Sequence, residues 1–152
     1  MVARVIRRNI TDQLLQALAD TPVVLLNGAR QTGKSTLVQS REVADEPSRQ
    51  YLTFDDPGVL AAARSDPNGF LAGLTTPVTL DEIQHVPELF PSIKVAVDRK
   101  REPGSFLLTG SANVMLLPKL ADPSLGGNEY QRPGLRVVLF VAQPHVGAAR
   151  LD

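Results

Sequence analysis

Eight consecutive residues, Gly28-Ala29-Arg30-Gln31-Thr32-Gly33-Lys34-Ser35, carry the most specific chemistry in the sequence. They match the pattern GxxxxGK[ST], in which each fixed letter has a physical task in holding a chain of phosphates. The glycines let the backbone wrap closely with its amide N–H groups turned inward. Lys34 reaches the outer phosphates, Ser35 offers a hydroxyl to magnesium, and a helix beginning at Lys34 points its positive dipole end at the same place. Thr36, next along the chain, is grouped with the loop as nucleotide-binding.

A second constellation is Val78-Thr79-Leu80-Asp81-Glu82, an apolar strand that ends in two carboxylates. Taken alone, such a pair reads as a helix cap after a strand. Following a phosphate loop in the same chain, it reads as the Walker B pair of P-loop ATPases. Asp81 then holds magnesium through its water shell, and Glu82 polarises the attacking water as general base. The second carboxylate favours hydrolysis over transfer, because a kinase draws its acceptor hydroxyl from the substrate. A third group, Thr109, Gly110, Ser111 and Asn113, stands where a sensor of the terminal phosphate would sit, although small polar residues at a strand end are also ordinary turn formers. Asp55 and Asp56 are weaker candidates, and Asp56 before Pro57 is adequately explained as an N-cap. His85 reads as a surface turn residue. Arg99, Lys100 and Arg101 read as solvated cations opposing a helix dipole.

The elements that must position these residues follow from periodicity. Thr11 precedes DQLLQALA, a short capped helix stopped by Pro22, and the apolar run VVLLN at 23–27 leads straight into Gly28. A helix is expected from Lys34 to about Arg41, a strand at 51–54, and two short helices opened by Asp56-Pro57 and Asp66-Pro67. PVTLDE at 77–82 is a strand, PELFPSIKVAVDRKR a helix, and SFLLTGS at 105–111 a fourth strand. Strands alternating with helices imply right-handed crossovers and a parallel sheet covered on both faces. The expected fold is α/β, a P-loop NTPase three-layer sandwich with a mainly parallel sheet of four to five strands. Residues 1–121 form the core, and 122–152 a divergent tail in which LRVVLFVA reads either as a fifth strand or as an unpacked run.

Bulk properties set the outer bounds. One domain suits 152 residues with 43% apolar content. Sixteen Lys and Arg balance sixteen Asp and Glu, so no net field draws the molecule to nucleic acid or an anionic membrane, although a local basic patch stays open. Without cysteine there is neither a disulfide framework nor a thiolate zinc site, and two histidines leave little for other metal chemistry. With no signal-peptide-length or membrane-length apolar stretch either, a cytoplasmic location is expected.

Taken together, NGARQTGKSTL, YLTFDDP, VTLDEIQHVPELFPSIKVAVDR and FLLTGSAN resemble a family of prokaryotic AAA-like ATPases, in which this core precedes a C-terminal domain of unknown function. The resemblance spans roughly residues 4–121. It implies ATP and Mg2+ as ligands, Lys34 and Ser35 as phosphate and magnesium residues, Asp81 and Glu82 as the Walker B pair, and Thr109 to Asn113 as the sensor segment. The preference for ATP over GTP rests on it alone, since phosphate contacts do not read the base. After Asp122 the family would continue with a Ser-Leu-Ala-Gly-Arg-like segment, a fifth core strand and the C-terminal domain, whereas this chain reads PSLGGNEYQRPGL and ends at Asp152. A frame shift or truncation is expected, and with it the loss of the arginine that would stabilise the transferred phosphoryl group. Arg132 and Arg136 are possible substitutes. The expected function is Mg-ATP binding with weak or absent hydrolysis. The alternatives are a competent ATPase and a non-catalytic module that binds a protein or nucleic acid. Exposed apolar surface at the sheet edge would favour self-association.

Overall fold

The computed structural model describes residues 2–28, 33–44, 48–111, 131–132 and 135–139, of which 2–9, 131–132 and 135–139 are described by their backbone alone. Its centre is a sheet in the order β2-β3-β4-β1-β6-β5, with β1 at Val23–Asn27, β2 at Gln50–Thr53, β3 at Val78–Asp81, β4 at Phe106–Gly110, β5 at Gln131–Arg132 and β6 at Leu135–Leu139. Every pairing from β2 to β6 is parallel, and only the two-residue β5 runs antiparallel, against β6. The Leu135–Leu139 strand pairs with β1 along its whole length, from Val23↔Leu135 to Asn27↔Leu139.

Alternation along the strands builds two cores, because successive side chains in a strand point to opposite faces. Val23, Leu25, Val78, Leu80, Phe106 and Leu108 face one layer, where they meet Phe54, Ile83, Leu89, Ile93 and Val97. Val24, Leu26 and Leu107 face the other and meet Leu14, Ala17, Leu18, Val38 and Val43. The first layer is built by α4 (Pro57–Ser65), α5 (Pro67–Ala72) and α6 (Leu89–Arg99). The second is built by α1 (Val2–Asp20), α2 (Lys34–Val38) and α3 (Arg41–Ala44). The fold is a P-loop NTPase sandwich.

Two helices differ from the sequence expectation. The first runs from Val2 rather than starting after Thr11, since Ile6, Ile10 and Leu14 recur at four-residue spacing and carry the apolar stripe backward through Arg4, Arg7 and Arg8. The helix expected from Lys34 to about Arg41 breaks in two, with Val38 its last residue and α3 restarting at Arg41. Ser40 sits at the break: its hydroxyl donates to Leu37 O at 2.6 Å, and its carbonyl accepts from Val43 and Ala44. Local serine bonding of this kind competes with continuation of the helix.

The N-caps are as read. Asp56 accepts from Gly58 N at 2.8 Å and Val59 N at 3.4 Å, with Pro57 in the first turn, and Asp66 accepts from Gly69 N at 3.0 Å. Replacing Asp56 with alanine leaves two N–H groups at the start of α4 without this acceptor. Urea denaturation of Asp56→Ala is expected to show a loss of about 1 kcal/mol with the slope unchanged. A stability equal to wild type would mean that solvent caps the helix equally well.

Candidate functional site

Because β1, β3 and β4 are parallel, their C-terminal ends reach the same edge of the sheet, the edge at which α/β folds place ligands. β4 lies between the strand that feeds the phosphate loop and the strand that ends in carboxylates. Gly28, Asp81 with Glu82, and Thr109 are thereby brought together across three adjacent strands. Gly28 N donates to Gly110 O at 3.2 Å, fastening the loop's first residue to the end of β4.

Gly33 caps α2 at φ 89°, a left-handed conformation that glycine adopts without strain. An added Cβ there meets nothing within 4 Å, so the requirement comes from the backbone and not from space. Lys34 follows and is buried, with its Nζ donating to Gly28 O at 2.9 Å across the mouth of the loop. Burial lowers its pKa, an effect opposed by the carboxylates of Glu82 and then Asp81. The two acids partly offset the cost of burying the ammonium. Thr36 is exposed on α2 and Ser111 half-buried just beyond β4. Ala29, Arg30, Gln31, Thr32 and Asn113 lie outside the described residues, as do the side chains of Arg132 and Arg136.

Asp81 is the hub. Its carboxylate accepts from Ser35 Oγ at 3.0 Å, from Tyr51 Oη at 2.7 Å and from the Thr109 hydroxyl. Thr109 also accepts from Glu82 N at 3.0 Å. A hydroxyl has one hydrogen, so the proton of Thr109 is committed to Asp81 and its place is behind the carboxylates. Glu82 is the one non-glycine residue at positive φ among the described residues, at φ 62° and ψ 49°. Such a conformation costs about 1–3 kcal/mol and persists where the surroundings over-determine it. Here the bonds to Thr109 and from Gln84, whose amide donates to Glu82 Oε2, fix the turn.

Several residues play parts that the sequence reading did not give them. Tyr51 reaches Asp81 from the edge strand, where Thr53 is in register with Asp81. Strand alternation puts Tyr51 and Thr53 on one face, but the register that brings them to Asp81 is not written in either strand alone. Gln84 follows Glu82 in a 3₁₀ turn at Ile83–His85, and its Oε1 is buried with no hydrogen-bond partner. His85 is more than a turn residue, since its Nε2 stands 3.5 Å from Asp55 Oδ1 and its carbonyl accepts from Arg64. Arg99, Lys100 and Arg101 are exposed at the end of α6, as the solvated reading expects.

Comparison with known proteins now fixes the class. A family model described as an AAA domain matches residues 20–131. The chain belongs to this family. Two curated relatives, the uncharacterized proteins Mb2031c of Mycobacterium bovis and Rv2008c of Mycobacterium tuberculosis, are each 45% identical over 122 residues, covering 80% of this chain and 26% of theirs. The chain thus spans about a quarter of the length of the curated relatives it matches. Among solved structures, a Walker-type ATPase of Pyrococcus abyssi superposes with a TM-score of 0.53 at 19% identity, covering 88% of this chain and 53% of that one. That likeness is one of fold. The AAA domain described here is therefore an ATPase-like, nucleotide-binding P-loop unit, and among its described residues no helix is long and apolar enough to cross a membrane.

Proposed function

We propose that this AAA domain binds ATP together with Mg2+, the triphosphate lying along the loop from Gly28 to Ser35. The observation that carries the reading is the Ser35–Asp81 bond, which joins the end of the phosphate loop to the acidic end of β3. Donation from Ser35 to Asp81 leaves the serine lone pairs for a cation, and a hydroxyl beside a carboxylate is the hard-oxygen set that magnesium takes with substrate phosphates. Magnesium, when bound, would supply charge neutralisation at the outer phosphates. Lys34 adds a second positive charge to those phosphates, and the loop amides orient them. Ser111 and Asn113 are the sensor candidates left, because Thr109 serves Asp81.

Hydrolysis is the second reading, favoured by the strained placement of Glu82 at the lip of the site. The carboxylate would accept a proton from water as that water attacks the terminal phosphorus and the bond to the bridging oxygen breaks, releasing ADP and phosphate. Slow turnover is proposed for this chain, because the segment after Asp122 departs from the family pattern that carries a charge-stabilising arginine.

Calorimetric titration with a non-hydrolysable ATP analogue tests binding. Saturable heat is expected with magnesium present, and chelating the metal should weaken the affinity about tenfold or more, 1.4 kcal/mol being tenfold. Absence of binding in both conditions would rule the proposal out.

A further inference from the structure

Asp81 is served from one direction that neither the phosphate loop nor the sensor strand provides. Tyr51, on the edge strand β2, donates to Asp81 Oδ2 at 2.7 Å. That bond commits the single hydrogen of the phenol to Asp81. The ring packs with Leu15 and Leu37 against the core beneath α1, so the hydroxyl is delivered from a fixed stem.

We propose that Tyr51 is a positioning residue for the magnesium site, its hydroxyl holding Asp81 at the end of β3 so that the carboxylate keeps one orientation. The proposal rests on the nucleotide-binding reading given above. Its physical basis is the weak intrinsic preference of an aspartate about its Cβ–Cγ bond, where rotamers are broad. Two donors on different oxygens remove that freedom. Thr109 holds Oδ1, Tyr51 holds Oδ2, and Ser35, which leans between them at 3.3 and 3.0 Å, is the one donor that must also face a cation. Without the phenol, Asp81 keeps only Thr109 as a donor that need not also face a cation, and the carboxylate turns about it.

Tyr51→Phe keeps the ring and removes the hydrogen bond. Affinity for a fluorescent ATP analogue is measured against free magnesium concentration and again with the metal chelated. The variant is expected to match wild type within about twofold without metal, while the magnesium concentration that gives half of the metal-dependent gain rises about tenfold, the scale of one hydrogen bond to a charged group. A purely structural tyrosine would lower both affinities together or neither. Superimposable magnesium curves for Tyr51→Phe and wild type overturn the positioning role while leaving nucleotide binding intact. Wild type that binds no analogue with or without magnesium overturns the reading of the site and this role with it. Should the phenylalanine variant fail to fold, Tyr51→Leu, which keeps an apolar side chain against the same cluster and also lacks the donor, is expected to shift the magnesium curve in the same direction, and an unshifted curve there overturns the role.

Discussion

Lys34→Ala is expected to weaken binding of the magnesium complex of an ATP analogue about a hundredfold or more, with the fold intact. The size follows from removing one partner of a desolvated charge pair, which costs about 2–5 kcal/mol. Lys34 is only 4% exposed, so its interaction with phosphate oxygens is poorly screened. The effect on stability should be small by comparison. Its ammonium already bears a desolvation penalty, evident in the lowered pKa, and the substitution removes that penalty along with the bond to Gly28 O. Calorimetric titration beside a thermal melt separates the two effects. A variant that melts like wild type and binds like wild type would mean that the phosphates do not lie where Lys34 points, and that the loop is not the binding element.

Glu82→Gln is expected to remove the remaining ATP turnover while leaving analogue affinity within a few-fold of wild type. General acid–base groups contribute about 10²–10⁴ to rate, so even a slow reaction should drop below detection. The substitution preserves the length and the backbone demand at φ 62°, so the strained turn has no new reason to rearrange. Phosphate release, followed over hours in a coupled assay and compared with Lys34→Ala as the binding-deficient background, checks it. Turnover that survives in Glu82→Gln would move the base to another group and leave the strained turn without its chemical explanation.

Sequence and structure agree most closely where one local pattern decides the outcome. The run VVLLN becomes β1 and stops at the glycine that opens the loop, and both aspartate–proline pairs cap helices at the expected residues. Each depends on residues within a few positions of one another. The boundaries that moved depend on competition. The start of α1 was hidden because three arginines interrupt a stripe whose apolar members still recur at helical spacing, and the break in α2 was hidden because a single serine can turn its hydroxyl back on the chain. The site divides in the same way. Lys34, Ser35, Asp81 and Glu82 are legible because a phosphate loop and an acidic strand end are linear signals. Tyr51 and the double use of Thr109 are not, since both arise from strand register and from β4 lying between β1 and β3. No segment encodes that order by itself.

The placement of β1 also bears on how the molecule comes into being. Val23 finds its sheet partners at Phe106 and at Leu135, so the strand is synthesised long before either neighbour exists. At about 5–20 residues per second, ribosomes take several seconds to produce the first of them. During that time α1, made just ahead of β1, can shelter the Val24 and Leu26 face, since Leu14, Ala17 and Leu18 form a cluster with them. The Val23 and Leu25 face belongs to a cluster whose next member in the chain is Phe54, so its cover is made later than α1. A short apolar strand with free backbone on both sides is a template for pairing with other chains. β1, paired on both sides in the finished protein, is thus unpaired on both sides in the nascent one, an apolar stretch of the kind that holdase chaperones bind.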